Sequence, residues 1–325
     1  MHSHSFNRRT FLQAAGTAGA AALLGPDLLR AQTTPLLTRR IPSSNEELPL
    51  VGLGSWGVFN VGDDPVGRAG CVAVLKSFFA AGGRLIDSSP MYGSSQQVIG
   101  HALAELGMPS RLFAADKVWI SPGAKGREQI EASRRSWRVP RFDLLQVHNL
   151  LAWEEHLPTL FAMKAAGQLR YVGITTSHGR RHGDIEQIMR GHPLDFVQVT
   201  YNIEDREIEE RILPLAADRG IAVIINRPFQ RGDLLRRFAG KPLPPWAADL
   251  DCSGWPQFLL KFIVSHPAVT CAIPATSRVD HLVEDLGAAR GRLPDAAQRR
   301  RMLDYLRAKS VERYRTVVQS LGIRK

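Results

Sequence analysis

From about residue 50 onward, two hydrophobic patterns alternate along the chain. Short, almost continuously apolar runs recur as "LVGLGSW" (50–56), "RLIDSS" (84–89), "LFAADKV" (112–118), "FDLLQVH" (142–148), "YVGITT" (171–176), "FVQVTY" (196–201), "IAVIINRP" (221–228) and "VTCAIPAT" (269–276). Strands covered on both faces read this way. Between them, apolar residues fall at helical spacing: Val72, Leu75, Phe78 and Phe79; then Val98, Ile99, Ala102, Leu103 and Leu106; later Phe258, Leu259, Phe262 and Ile263. Eight strand–helix units without a break in composition predict an α/β chain folded as a single (β/α)8 barrel, a TIM barrel. A doubly wound open sheet is the competitor. It would usually carry a G-x-G-x-x-G turn after its first strand, and "VGLGSWGVF" is not one.

Ahead of the first run, "LLTRRIPSSNEELPLVGLGSW" (36–56) has turn residues at its centre and reads as an N-terminal β-hairpin. The longest irregular stretch, residues 227–254, follows the seventh strand, a place where substrate lids tend to lie.

The first thirty residues follow another rule. "NRRTFLQAAGTAGAAALLGPDLLRAQ" sets the twin arginine Arg8–Arg9 ahead of Phe11, Leu12 and a weakly apolar Ala/Gly/Leu run. That order reads as a twin-arginine export signal over residues 1–31, with the barrel over residues 32–325. An ordinary amphipathic N-terminal helix is the plainer alternative. The run from Phe11 to Leu24 is too short and too rich in Gly and Ala to span a bilayer, so no stable membrane insertion of the mature chain is expected. The expected location is the periplasm, reached as a folded protein through the export machinery.

The formal net charge is +11, with 42 basic and 31 acidic residues. A basic chain can attract nucleic acid, yet the charges are scattered. The densest run, "AQRRRMLDYLRAK" (297–309), reads as the solvated face of a C-terminal helix. A phosphate-bearing small molecule accounts for a basic cavity at least as well, and no nucleic-acid partner is predicted. Three cysteines make no disulfide framework: Cys71 falls in a helical pattern and Cys271 in a strand pattern, as core residues do.

The chemistry gathers at the ends of consecutive strands. Asp87 ends the second, Tyr92 follows in the next loop, Lys117 ends the third and His148 the fourth. In a parallel barrel these ends share one mouth. Each has a bland reading: a turn cap, a loop residue, an ion-pair partner, a core histidine. Together they suit protonation of an alkoxide. Tyrosine is a weak acid, a nearby ammonium brings its proton donation closer to working pH, a carboxylate holds that ammonium, and histidine adds a hydrogen bond to the substrate oxygen. No strand end offers a carboxylate pair or a His pair at ligand spacing, so no metal site is predicted and a barrel isomerase or hydrolase is disfavoured.

Here the sequence resembles the aldo-keto reductase family over nearly all of the mature chain. The likeness rests on "RLIDSSPMYGSSQQVIG", "FAADKVW" and "DLLQVH" in that order. It implies a (β/α)8 barrel with an N-terminal β-hairpin closing its base, and hydride transfer from NADP(H), less often NAD(H), to an aldehyde or ketone. Tyr92 would be the general acid, Lys117 and Asp87 would tune it, and His148 would orient the carbonyl.

The resemblance also carries over cofactor positions: Ser55; Thr175 and Thr176 in "YVGITTSH"; Gln198; Asn226, Arg227, Pro228 and Phe229 in "INRPFQRG"; and Ile273, Pro274, Thr276, Ser277, Arg278 and Asp285 in the adenosine-phosphate region "AIPATSRVDHLVEDL". Thr176 stands where the family usually has Asn, and Asn226 where an aromatic ring often stacks on nicotinamide. Arg278 is the best remaining partner for a 2′-phosphate. Trp56 and Trp119 follow strand ends and are expected either to wall a substrate pocket or to pack near its rim. The alternative to a reductase is a dinucleotide-binding redox sensor or partner subunit with little turnover.

Overall fold

The computed structural model describes residues 34–320, with side chains as far as 309. The signal-like segment 1–31 lies outside them. Strands β1 (Thr38–Arg40) and β2 (Glu47–Pro49) pair antiparallel, Thr38 opposite Pro49. Then come β3 (Leu53–Gly54), α1 (Pro65–Ala80), β4 (Leu85–Asp87), α2 (Ser95–Leu106), β5 (Phe113–Val118), α3 (Gly126–Trp137), β6 (Phe142–His148), α4 (Trp153–Ala165), β7 (Leu169–Thr175), α5 (His182–Gly191), β8 (Phe196–Thr200), α6 (Ile212–Arg219), β9 (Ala222–Asn226), α7 (Asp233–Phe238), α8 (Trp255–Val264), β10 (Cys271–Ala272), α9 (Val279–Gly287) and α10 (Ala296–Ser320).

Strands β3 to β10 form an eight-stranded parallel sheet in sequence order. Its edges meet: Gly52 N donates to Ala272 O (2.9 Å), Gly54 N to Pro274 O (2.8 Å) and Ala272 N to Leu50 O (2.9 Å). The eight predicted strands and the barrel they imply are therefore present, and helices cover the outer face.

Alternation along each strand separates two cores. Outward residues such as Ile86, Val118, Leu145, Val172 and Val197 meet the helices. Inward residues, among them Leu85, Phe113, Leu144, Tyr171, Phe196, Ile224 and Cys271, fill the barrel together with Ile41 and Leu48 of the hairpin. The hairpin is thus a plug at the N-terminal end. Rings of Phe113, Tyr171 and Phe196 stand 5.4–6.0 Å apart beneath it. Tyr171 carries the contact out to polar ground, its hydroxyl donating to Ser44 Oγ (2.7 Å) or to Glu46 Oε2 (2.9 Å). Burial alone would raise the Glu46 carboxyl, but Arg84, Tyr171 and Arg170 hold it below its ordinary value.

Two segments differ from the pattern read in the sequence. Residues 227–254 are not irregular: they hold the 3-10 turns Gln230–Gly232 and Pro245–Leu250 and helix α7. Leu234, Phe238, Ala247 and Leu250 are buried there, and Phe238 stacks on Trp255 at 4.2 Å. Their apolar residues come in short groups split by Pro and Gly, which masks the short helical period. In α10, Arg299 is not on a solvated face. It donates to Tyr201 Oη (2.6 Å), Glu209 Oε1 (3.0 Å) and the Phe262 carbonyl, clamping α10 to the barrel. Lys261 is a second buried cation, its ammonium donating to the carbonyls of Leu250 (2.6 Å), Arg290 (2.8 Å) and Arg292 (2.8 Å).

One glycine marks the closest helix approach. A Cβ on Gly100 of α2 would stand 1.9 Å from Ser136 O of α3. Ala ordinarily favours a helix over Gly by about 1 kcal/mol, but overpacking at such a contact costs about 1–3 kcal/mol. Gly100→Ala is therefore expected to lower the chemical-denaturation midpoint. Gly183→Ala in α5, where nothing lies within 4 Å of the new Cβ, is expected to hold or raise it. Equal midpoints for the two variants would refute the packing assignment.

Candidate active site

At the C-terminal ends of the strands the interior turns polar. Lys117, fully buried, extends its ammonium to Asp87 Oδ2 (2.6 Å) and the Ser88 carbonyl (2.7 Å). The other Asp87 oxygen accepts from Gln198 Nε2 (2.9 Å) and, at 3.5 Å, from Gln146 Nε2. Three strands, β4, β5 and β6, plus β8 thus converge on one carboxylate. A buried ion pair survives only when its remaining valences are met like this.

Tyr92 follows β4 in the turn where its own N–H donates to Ser89 O (3.0 Å). Its ring centroid is 5.1 Å from Lys117 Nζ and 5.7 Å from the His148 ring, edge to face. Burial pushes the phenol above its ordinary value, and Asp87 adds to this. Lys117 pulls the other way but does not win. The expected lowering by lysine is therefore present as a component and reversed in sum: desolvation of a phenolate exceeds the nearby charge, and Tyr92 stays protonated. Burial by itself would lower the Lys117 ammonium; Asp87, Tyr92 and Asp116 more than offset it, keeping it charged.

His148 ends β6 with Nδ1 2.7 Å from Ser89 Oγ. Burial, then the Lys117 charge, pushes the imidazole down to about 2, so it is neutral across the working range. Behind the strand lies a further carboxyl, Asp116, which accepts from Gln96 Nε2 (2.7 Å) and Lys117 N (2.7 Å) and which burial pushes up to about 7.

A cavity of about 640 Å³ opens above this cluster. It brings together Asp87, Tyr92 and His148 with nine of the positions named for a cofactor: Ser55, Thr175, Thr176, Gln198, Asn226, Arg227, Pro228, Phe229 and Ile273. Lys117 sits beneath the cavity rather than on its wall. Gln198 also accepts from Thr175 Oγ1 (3.0 Å). Asn226 is held on both sides, Nδ2 to Thr176 O (2.9 Å) and Oδ1 from Thr200 Oγ1 (2.7 Å). Pro274, Thr276, Ser277, Arg278 and Asp285 lie outside the cavity, along the β10–α9 loop and α9. Arg278 at the start of α9 pairs with Asp280 (3.0 Å), and Asp285 is buried, which pushes its carboxyl well above the ordinary range. Trp56 lines the cavity; Trp119 does not, its ring standing 6.4 Å from that of His148.

Sequence reading missed several members. Gln146 was legible in principle: it precedes His148 by two, and strand alternation turns both inward. Ser89 sits in the quoted "IDSSPMY", but its bond to a histidine 59 residues away carries no local signal. Arg180, Arg181 and Arg231 of the cavity mouth lie in loops whose course no periodicity announces. Among the described residues no group of three or more His, Cys, Asp or Glu could hold a metal ion, and no helix is long and apolar enough to cross a membrane.

Comparison with known proteins agrees with this geometry. A protein-family model described as the aldo/keto reductase family matches residues 50–300. Methylglyoxal reductase YeaE of Escherichia coli is 28% identical over 250 residues, 75% of this chain and 86% of that protein. The NADH-specific methylglyoxal reductase of the same organism is 25% identical over 234 residues, 60% of this chain and 68% of that one. An aldo/keto reductase from Klebsiella pneumoniae, solved in complex with NADP and acetate, shares the fold with a TM-score of 0.69 at 22% identity, covering 84% and 95% of the two chains.

The neutral His148 fixes an acid-side prediction. An unfolded chain protonates a free imidazole at about pH 6.5, whereas the folded site takes that proton only near pH 2. Between these values the unfolded state holds the extra proton, so stability falls as pH falls. Melting curves taken from about pH 7 to about pH 4 should show a shallower loss for His148→Gln than for the native chain. Parallel curves would contradict a buried neutral ring.

Proposed function

The chain belongs to the aldo/keto reductase family of oxidoreductases acting on carbonyl compounds, and on that premise we propose that it reduces an aldehyde or ketone with NADP(H), Tyr92 being the general acid. The observation that carries this reading is Lys117, wholly buried between Asp87 and Tyr92 beneath the cavity. An ammonium held there stabilises the phenolate left when Tyr92 gives up its proton, while burial keeps the phenol protonated until then.

The cavity residues fit a nicotinamide dinucleotide. Ser55 Oγ is buried on the wall without a hydrogen-bond partner among the described residues, and an unmet hydroxyl in a ligand cavity is a ready contact for a polar group. Ser55, Thr175, Gln198 and Asn226 would hold the nicotinamide end, with Arg227, Pro228, Phe229 and Ile273 along the wall. Pro274, Thr276, Ser277, Arg278 and Asp285 would hold the adenosine end beyond it. Thr176 offers a hydroxyl but no amide, and its carbonyl is engaged by Asn226. Arg278, exposed and paired with Asp280, supports NADP(H) over NAD(H) through a 2′-phosphate.

When bound, the reduced dinucleotide supplies the hydride that goes to the carbonyl carbon. Tyr92 Oη gives its proton to the carbonyl oxygen, and the product is an alcohol. In the tautomer in which Ser89 donates to Nδ1, His148 Nε2–H points its proton at that oxygen and steadies it before transfer. Trp56 would wall the substrate pocket, and Trp119 stands beside the His148 ring. The neutral state of His148 prevents it from competing with Tyr92 as a proton source at working pH. The rival reading, a dinucleotide-binding sensor with little turnover, is supported by the closed Thr176–Asn226–Thr200 bonding.

Residues 1–31 would be the twin-arginine signal that delivers residues 32–325, folded, to the periplasm. If a reporter fused to residues 1–35 is still exported after Arg8→Lys and Arg9→Lys, that part of the proposal fails.

The deciding assay follows NADPH and NADH with an aromatic aldehyde, in the native enzyme and in Tyr92→Phe. Loss of one general acid is expected to lower kcat by about 10²–10⁴-fold, with tryptophan quenching by NADPH retained. Tight dinucleotide binding without turnover on a broad carbonyl panel would favour the sensor.

A further inference from the structure

Asp116 is a buried acid to which the proposed reaction gives no part. It precedes Lys117 on β5, so strand alternation turns it away from the barrel interior. Its register partner on β6 is Leu145, which faces the helices. There it is wholly buried, lines no part of the cavity and makes no ion pair among the described residues. A carboxyl buried without a cation of its own is costly, and groups so placed gather where a site tunes proton transfer.

Two donors hold it. Oδ1 accepts from the Lys117 backbone N–H (2.7 Å) and Oδ2 from Gln96 Nε2 (2.7 Å). The same Gln96 nitrogen donates to Ser133 Oγ of α3 (2.9 Å). Gln96 lies in the first turn of α2, directly after Ser95, whose N–H donates to the Tyr92 carbonyl (3.2 Å).

We propose that Asp116 is a positioning residue of the active site: its carboxyl couples the Lys117 backbone to the turn that carries Tyr92, and its charge acts through β5 on the Lys117–Tyr92 pair. The inference rests on the reductase reading above and adds a residue to it.

Geometry supplies the coupling, since one carboxyl bonds both the strand that ends in the lysine and the helix that begins beside the tyrosine. Burial makes the charge felt. Asp116 and Lys117 are both shut off from water, and charges in such a medium are weakly screened. Nothing on the helix side offsets it: Gln96 from α2 and Ser133 from α3 are neutral, and the charges that reach Asp116 are Lys117 and Asp87, on the barrel side.

A dependence on pH follows. Burial pushes the Asp116 carboxyl up to about 7, against the Lys117 N–H, the Lys117 charge and the Gln96 bond, which hold it down. Above that pH its negative charge adds to burial and Asp87 in keeping the Tyr92 phenol high. Below it Asp116 is neutral, the phenolate is less disfavoured, and Tyr92 gives up its proton more readily. Asp116 does not reach the cavity, so it passes no proton to the substrate itself.

The test uses the full-length enzyme, Asp116→Asn and Gln96→Met. In reduction of an aromatic aldehyde by NADPH, kcat of the native enzyme should fall severalfold as pH rises through about 7. Asp116→Asn should keep the low-pH rate across that range. Gln96→Met removes a donor to the carboxylate and should move the fall to higher pH, which a loss of packing alone would not do. Infrared difference spectra of the native enzyme alone should show a carboxylic acid band lost over the same range, and Asp116→Asn should lack it. Profiles that superimpose in all three proteins overturn the proposal, as does the absence of a titrating acid band. So does a loss of rate in Asp116→Asn that is equal at every pH, since the residue would then only pack. If no aldehyde turns over, the reductase reading fails by itself, and ultraviolet titration of the Tyr92 phenol, taken as the difference from Tyr92→Phe, decides the coupling. It should shift to lower pH in Asp116→Asn, and an unchanged titration overturns the proposal.

Discussion

Lys117 cannot reach water, and much of the upper barrel is arranged so that it does not need to. Its ammonium takes Asp87 and the Ser88 carbonyl, and Asp87 in turn draws Gln198 from β8 and Gln146 from β6. Charges buried this way are tolerated only when every remaining donor and acceptor is answered, and leaving one partner alone costs about 3–5 kcal/mol. The pair therefore ties strands from two sides of the barrel to one point. Tyr92 and His148 are then set around that point by a single turn, with Ser89 bonding both the Tyr92 backbone N–H and the His148 ring.

Below this polar layer the barrel is dry. The aromatic trio Phe113, Tyr171 and Phe196 and the plug residues Ile41 and Leu48 shut out water from the N-terminal end. A low-dielectric floor strengthens the Lys117–Asp87 attraction and also sets the direction in which Tyr92 shifts. The hairpin thus affects the site without touching it, by keeping the far end of the interior closed.

The architecture was legible because it depends on period and order: eight apolar runs, helical stripes between them, and no glycine fingerprint. The four-residue constellation was legible because each member ends a strand or follows one closely. Other features are set by contacts distant in the chain. Nothing near Arg299 distinguishes it from Arg300 or Arg301, yet the Tyr201 hydroxyl and the Glu209 carboxylate make it a clamp. Tyr92 was expected to shift down because the lysine is visible in sequence and the extent of burial is not. The Thr176 and Asn226 departures were visible as substitutions. Only the structure shows that they bond to each other, so that the amide group missing at one strand end is present two strands away.

Barrel closure has a consequence for the life of the chain. The seam joins Leu50, Gly52 and Gly54 to Ala272 and Pro274, residues more than 200 positions apart by their numbering. Loop-closure entropy makes such pairings late events. During synthesis the first barrel strand must wait, its edge unpaired, until nearly the whole chain has left the ribosome. Ser55 and Ile273 face the cavity from opposite sides of that seam. The pocket is therefore among the last parts of the molecule to exist, and a nascent chain stalled before β10 carries Tyr92, Lys117 and His148 without the cavity above them.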